Sequence, residues 1–313
     1  MPTEPLIVIV GPTASGKTGL AVSLCETLGG EVVSADSQQC YRGLDVATAK
    51  PTEEERRRAR HHLLDVAEPE DQLDAARFVK LADAAIEEIR GRGKRVIVAG
   101  GTGLWIRALL KGLLDAPGAD AAFRDRFRAE AAEVGVPAMH RKLAEVDPVG
   151  AAKILPNDRV RIERSLEVHA LTGRPLSALL EEHAFGDRRH EAVVIHLEPP
   201  RELLWQRLEA RTQAMFAEAS PLWDEVRALQ ERIEAIPAAA KALKIIGYGE
   251  AAAALTEGTN EAKQKASEQV LARTRQYAKR QRTWFSKECG PGVWPPGANE
   301  IAQQLRAKPG GLI

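Results

Sequence analysis

The segment Gly11-Pro12-Thr13-Ala14-Ser15-Gly16-Lys17-Thr18 carries the clearest chemistry, because it matches GxxxxGK[ST]. Glycines let the backbone curl until several N–H groups point at one anion. A helix starting at the end of the motif adds its positive pole. Lys17 supplies a point charge, and the Thr18 hydroxyl is a ligand for Mg²⁺. The motif follows the apolar run Leu6–Val10 and precedes a helical pattern through about Leu28, the context such a cradle requires. The expected anion-holding residues are Gly11, Thr13, Ala14, Ser15, Gly16, Lys17 and Thr18. The motif calls for a phosphate compound without saying which one.

Ligands of open α/β sheets bind at the carboxyl ends of the strands, so other strand ends are expected to face the same crevice. One such end is Asp36-Ser37. A second is Gly100-Gly101-Thr102-Gly103, and a third leads into a helix bearing Arg201, Arg207 and Arg211. Asp36 has three readings on residue chemistry alone. It is a metal-orienting carboxylate, a general base for a substrate proton, or a helix cap.

The elements that must position these residues follow from hydropathy. Leu6–Val10, Glu31–Ala35, Lys94–Ala99 and Ala192–Leu197 are short apolar strand patterns. Helical patterns intervene, including Asp71–Arg92 and one that begins near Gly103. That alternation predicts an α/β fold with a parallel sheet flanked by helices. From Asp115 to about Arg189 the patterns are helical and punctuated by prolines. The expected organisation is a first core part over 1–114, a helical insertion over 115–188 and a second core part over 189–313. The Pro- and Gly-rich tail from Gly290 is expected to wrap loosely over the surface.

The chain has 313 residues, 44% apolar and 28% charged, with 44 basic and 44 acidic side chains. Such neutrality excludes a wholesale nucleic-acid coat but not a local basic face. No apolar run reaches the ~20 residues of a membrane helix, and MPTEPLIVIV reads as a first strand and not a leader. Cys25, Cys40 and Cys289 lack metal or disulfide spacing and read as core fillers in a cytosolic protein. The seven histidines lack the pairing of a metal site.

Several segments together resemble the bacterial tRNA dimethylallyltransferases, also called tRNA isopentenyltransferases. They are GPTASGKT (11–18), SADSQQCYRGLDVATAKP (34–51), HHLLD (61–65), VAGGTGLWIRALLKGL (98–113), PNDRVRIERSLEVHALTGRP (156–175), IIGYGE (245–250) and TRQYAKRQRTWF (274–285). The resemblance implies a P-loop NTPase-like core with a helical insertion. It also implies transfer of a dimethylallyl group from dimethylallyl diphosphate to N6 of the adenosine just 3′ of the anticodon, in tRNAs that read codons beginning with U. On that resemblance, Lys17 and Thr18, with the Thr13–Gly16 backbone, bind diphosphate and Mg²⁺. Asp36 accepts the N6 proton, Thr102 lies where the base meets the allyl group, and Arg211 binds diphosphate. Asp36, Ser37, Gln38, Gln39, Asn157, Asp158, Arg159, Val160, Arg161 and the neighbourhood of Lys244–Gly249 touch the anticodon stem-loop, with Thr102 and Arg124 beside them. The chain departs from the family pattern at Cys40, Val46-Ala47, Ser220 and Gly249.

RNA binding is also expected from local charge. Between Lys263 and Lys287 stand eight basic residues and one acid, Glu268. Arg275, Lys279 and Arg282 recur at helical spacing and are expected to meet tRNA phosphates. Tyr277 and Trp284 are expected to anchor the helix in the core. The resulting expectation is a cytoplasmic monomer using Mg²⁺. Its rivals are a P-loop small-molecule or nucleotide kinase, a prenyltransferase acting on free adenylate, and a non-enzymatic RNA-binding module.

Overall fold

The computed structural model describes residues 4–184, 186, 188–294 and 297–307. Its contacts divide the chain into two units, one comprising Met1–Leu110 with Arg189–Ile313 and the other Lys111–Arg188. The sequence had placed the first boundary at 114/115.

The first unit is built on five parallel strands: β1 (Leu6–Val10), β2 (Gly30–Ser34), β3 (His61–His62), β4 (Arg95–Gly100) and β5 (Ala192–His196). Their order is β3-β2-β4-β1-β5, which puts the motif-bearing β1 between β4 and β5. Alternate residues supply two cores, as the two-residue period of a strand demands. Leu6, Val8, Val10, Val33, Val96 and Val98 face one side with helices α3 (Ala75–Gly91) and α4 (Gly103–Lys111). Ile7, Ile9, Val32, Ile97, Val193 and Ile195 face the other side with α1 (Lys17–Leu28). Both faces are covered, which is why these strands read as continuous apolar runs. Between β2 and α3 lies the short α2 (Glu53–Arg58), opened by a capping box of Thr52 and Glu55.

The second unit is helical: α5 (Ala121–Val134), α6 (Val136–Val146), α7 (Pro148–Ala151), α8 (Arg159–Thr172) and α9 (Leu176–His183). Phe127, Met139, Leu143, Ala151 and Ile162 form its core. Its polar centre is the fully buried Glu167, which receives Arg124, Arg164 and the Asp120 N–H. Burial alone would push this carboxyl up, but those donors outweigh it and hold it at about 2.

The first unit resumes with β5 and α10 (Arg201–Met215), then α11 (Leu222–Ala235), a 3₁₀ segment Pro237–Lys244, α12 (Tyr248–Glu257) and α13 (Asn260–Cys289). Trp223, Val226, Leu229, Tyr248 and Val270 make a third core that also takes in Leu44 and Ala47. Glu225 accepts the Asp45 and Val46 N–H groups and the Tyr248 hydroxyl, so this core holds the 44–50 loop. The tail differs from its expected loose course. Helix α14 (Ala298–Ala307) buries Ile301, Ala302 and Leu305 in the core against α1. An amphipathic stripe of those three residues was enough to dock a segment that its prolines and glycines made look unstructured. Among the described residues, no helix is long and apolar enough to cross a membrane.

Candidate active site

The phosphate-cradle motif forms the turn between β1 and α1. Gly16 caps α1 at φ 90° and offers no side-chain oxygen to the first-turn N–H groups. Those donors therefore stay available to an external acceptor. Ala14 also adopts a left-handed conformation, φ 63°, which a side-chain-bearing residue holds only when its surroundings impose it. Its surroundings are Leu204, Leu208 and Ala278 from α10 and α13.

The Lys17 ammonium turns back to donate to the Gly11 and Pro12 carbonyls at 3.0 and 2.7 Å. Burial lowers its pKa to about 8, with Asp36 opposing that fall and Arg211 assisting it. Lys17 is thus cationic at neutral pH and close enough to both groups to feel their charges. Arg211 donates to the Thr13 hydroxyl at 3.1 Å and to the Ala47 carbonyl at 2.9 Å. Arg207 approaches the Ala14 carbonyl at 3.4 Å.

Asp36 follows β2, and Thr102 follows β4. The Asp36 carboxylate accepts the Gln38 N–H at 3.0 Å, closing a tight turn. The Thr102 hydroxyl accepts the Ser37 N–H at 2.9 Å and donates to the Ser37 hydroxyl at 3.2 Å. Gln39 turns inward, donating to the Thr48 and Ala49 carbonyls and accepting from Ser34, so its amide holds the 44–50 loop. Gly100, Gly101 and Gly103 are required by close approach: a Cβ would collide with the Ala35 carbonyl, the Gln281 amide and the Trp284 indole respectively.

These parts surround one pocket of about 840 Å³. Thr13, Ala14, Gly16, Lys17, Thr18, Asp36, Ser37, Gln38, Gln39, Thr102 and Arg211 all line it. Gly11 and Ser15 are buried and are not among its lining residues. The wall is completed by residues the sequence reading did not single out as site residues, above all Thr274, Arg280 and Gln281 of α13. Tyr277 and Trp284, expected as core anchors, also line it. Their common signal is spacing: 274, 277, 281 and 284 fall on one face of a helix. Gln281 is the only polar residue among the six that α13 buries.

The basic face of α13 is partly spent on folding. Arg282 pairs with Glu198 at 2.7 Å and holds that carboxyl below its ordinary value. Arg275 lies 3.5 Å from Glu209, whereas Lys279 is exposed. In the helical unit, Arg124 is committed to Glu167 at 2.8 and 3.0 Å. Asp158 caps α8 by accepting the Arg161 N–H. Asn157, Arg159, Val160 and Arg161 are exposed around that cap, Val160 at 77%. Gly249, one of the departures from the family pattern, packs so tightly that a Cβ would meet the Leu243 carbonyl. Among the described residues, no three His, Cys, Asp or Glu side chains converge as metal ligands.

The arrangement can hold a phosphate-bearing anion at the cradle and take up a proton at Asp36. Comparison with known proteins gives that chemistry its context. A family model described as IPP transferase matches residues 39–288. The tRNA dimethylallyltransferase of Anaeromyxobacter sp. (strain K) is 53% identical over 293 residues, covering 93% of each chain. That of Geobacter metallireducens is 48% identical over 283 residues, covering 90% of each. Among solved structures, the full-length tRNA isopentenylpyrophosphate transferase of Bacillus halodurans has a TM-score of 0.68 at 34% identity, with 98% of this chain and 97% of that one covered. A eukaryotic dimethylallyltransferase acting on tRNA has a TM-score of 0.77 at 26% identity, with 97% of this chain and 76% of that one covered. With the family model matching most of its length and relatives about half identical along nearly all of it, this chain belongs to the IPP transferase family.

Proposed function

We infer that this protein is a tRNA dimethylallyltransferase. It moves the dimethylallyl group from dimethylallyl diphosphate to N6 of the adenosine 3′-adjacent to the anticodon, in tRNAs reading codons that start with U. The observation that carries this reading is a single pocket with a cationic phosphate cradle and the Asp36–Thr102 strand ends in its wall. The relatives named above are tRNA-acting enzymes, which favours this reading over a kinase or a free-adenylate prenyltransferase.

The N6 amine is a weak nucleophile because its lone pair is delocalised into the purine. The new bond forms between N6 and the primary allylic carbon as the carbon–oxygen bond to diphosphate breaks. Negative charge then grows on the leaving diphosphate, where Lys17, Arg211 and the cradle N–H groups are placed to receive it. Asp36 takes the proton that the nitrogen sheds, a contribution of about 10²–10⁴-fold for a positioned base. Thr102 and Ser37–Gln39 lie beside Asp36, where an adenosine extruded from its loop would enter.

Mg²⁺ fits the residues present, because a hard cation that keeps several waters needs few protein ligands when phosphate oxygens are at hand. The Thr18 hydroxyl would hold it, and it would neutralise diphosphate charge. The exposed residues Asn157, Arg159, Val160 and Arg161, together with Lys279, would contact the anticodon stem-loop. A cytoplasmic monomer is the expected state, in keeping with cysteines that lack disulfide spacing. The test is mass spectrometry of tRNA incubated with the protein, Mg²⁺ and dimethylallyl diphosphate. One dimethylallyl group on one adenosine is expected. Unmodified tRNA with ATP turnover on a small hydroxyl acceptor would support the kinase instead.

A further inference from the structure

A buried carboxamide must find partners for both of its ends. Gln281 is 5% exposed, and its two ends reach two different loops of the pocket. The Oε1 atom accepts the backbone N–H of Thr13 at 2.8 Å. The Nε2 atom donates to the carbonyl of Gly101 at 3.0 Å. One loop is the phosphate cradle, and the other carries Thr102. Tyr277, one turn before Gln281 on the same helix, lines the same pocket. The residue is fixed from behind, because Ala278 packs with Leu204 and Leu208, and Phe285 packs in the sheet core. No Cβ could stand at Gly101 without displacing the amide.

We propose that Gln281 is a positioning residue for the transfer: it spans the cradle and the Thr102 loop and fixes the separation at which the allylic carbon meets N6. This rests on the reading of the cradle as the diphosphate side and of Asp36–Thr102 as the amine side. The Thr13 N–H is thereby occupied, so the backbone donors left for diphosphate begin after Thr13. Each half of the site binds its own substrate without Gln281, whereas the reaction needs both halves in register. Misplacement by about 1 Å costs roughly 10²-fold when reacting atoms must be aligned.

The experiment compares Gln281→Met and Gln281→Glu with the wild-type protein in single-turnover transfer and in separate titrations with dimethylallyl diphosphate and tRNA. The Met variant keeps length and loses both hydrogen bonds. It is expected to bind each substrate within about threefold of wild type while the transfer rate falls roughly 30- to 100-fold. The Glu variant can accept from Thr13 but cannot donate to Gly101 until its carboxyl is protonated. Its rate relative to wild type is therefore expected to climb as pH falls, with melting curves showing it folded throughout. A Met variant that transfers at the wild-type rate with only a lower melting temperature overturns the proposal, as does a Glu variant whose relative rate is flat with pH. Asp36→Asn in the same assay separates the two claims: wild-type transfer there defeats the amine-side reading, whatever Gln281 does.

Discussion

Arg211 and Thr13 stand far apart in the sequence, yet the Arg211 guanidinium donates to the Thr13 hydroxyl at 3.1 Å and to the Ala47 carbonyl at 2.9 Å. Burial lowers the pKa of Arg211 while the charge of Asp36 raises it. A planar fork serving two loops at once is a task that an ammonium cannot duplicate. Arg211→Lys should therefore keep a positive charge and still weaken dimethylallyl diphosphate binding about tenfold, roughly 1.4 kcal/mol. Titration calorimetry checks this, and an unchanged dissociation constant would reduce Arg211 to a simple point charge.

Lys17→Ala removes a half-buried cation from the cradle. Loss of one donor to a developing oxyanion costs about 2–4 kcal/mol, or roughly 10²–10³-fold in turnover. Diphosphate binding should weaken with it. Steady-state kinetics at wild-type values would contradict the assignment.

Asp36→Asn is nearly isosteric and preserves an acceptor for the Gln38 N–H. It removes the proposed base. The expected signature is a kcat lowered by about 10²-fold or more, with tRNA affinity within a few-fold, because the interaction is needed mainly in the transition state. A variant with intact chemistry but lost Mg²⁺ dependence would instead place Asp36 at the metal.

On α13 the structure separates three residues that the sequence grouped. Lys279→Gln should lower the steepness of log K for tRNA against log salt by roughly 0.7–1, the share of one phosphate contact. Arg282→Gln should leave that slope alone and lower the melting temperature, since it breaks the partly buried pair with Glu198, worth about 1 kcal/mol. Equal slopes for wild type and Lys279→Gln would move the RNA face to the exposed turn around Asn157–Arg161.

Acid should loosen the helical unit through Glu167. This carboxyl sits at about 2 when folded, against an ordinary 4.5. A depressed folded value means that its stabilising contribution is complete above about 4.5 and is lost as pH falls toward about 2. Glu167→Gln should destabilise the protein by roughly 2–4 kcal/mol at neutral pH, because Arg124 and Arg164 lose their carboxylate. It should also flatten the acid limb of the stability curve. Circular dichroism melts of Glu167→Gln between about pH 7 and about pH 2 would show an acid limb identical to wild type if Glu167 were a bystander.

The parallel sheet and the cradle were legible because each is written locally. Five apolar residues before GPTASGKT predict both the strand and its turn, and β1 spans Leu6–Val10 as expected. The edge strand His61–His62 was not legible, since two residues display no period. Gln281 escaped notice because its role lies wholly in partners 268 and 180 positions away. Arg124 and Arg282 were assigned to tRNA for the same reason: the sequence shows a charge but not which carboxylate will pair with it. The identity of the transferred group rests on resemblance and relatives, because a cradle of N–H groups does not distinguish one diphosphate from another.

The pairing of β1 fixes when the site can exist during synthesis. One edge of β1 is satisfied by β4, but the other waits for β5, with Leu6 opposite Ala192. The clamp on Thr13 comes later still, from Gln281. A nascent chain that has left the ribosome only as far as α4 already carries GPTASGKT, yet has an unpaired strand edge beside it. Such an edge is a template for wrong partners until the right one arrives. The intervening helical unit, with its own core around Phe127 and Leu143, can fold during that wait. The earliest motif in the sequence is therefore among the last parts of the molecule to take its working shape.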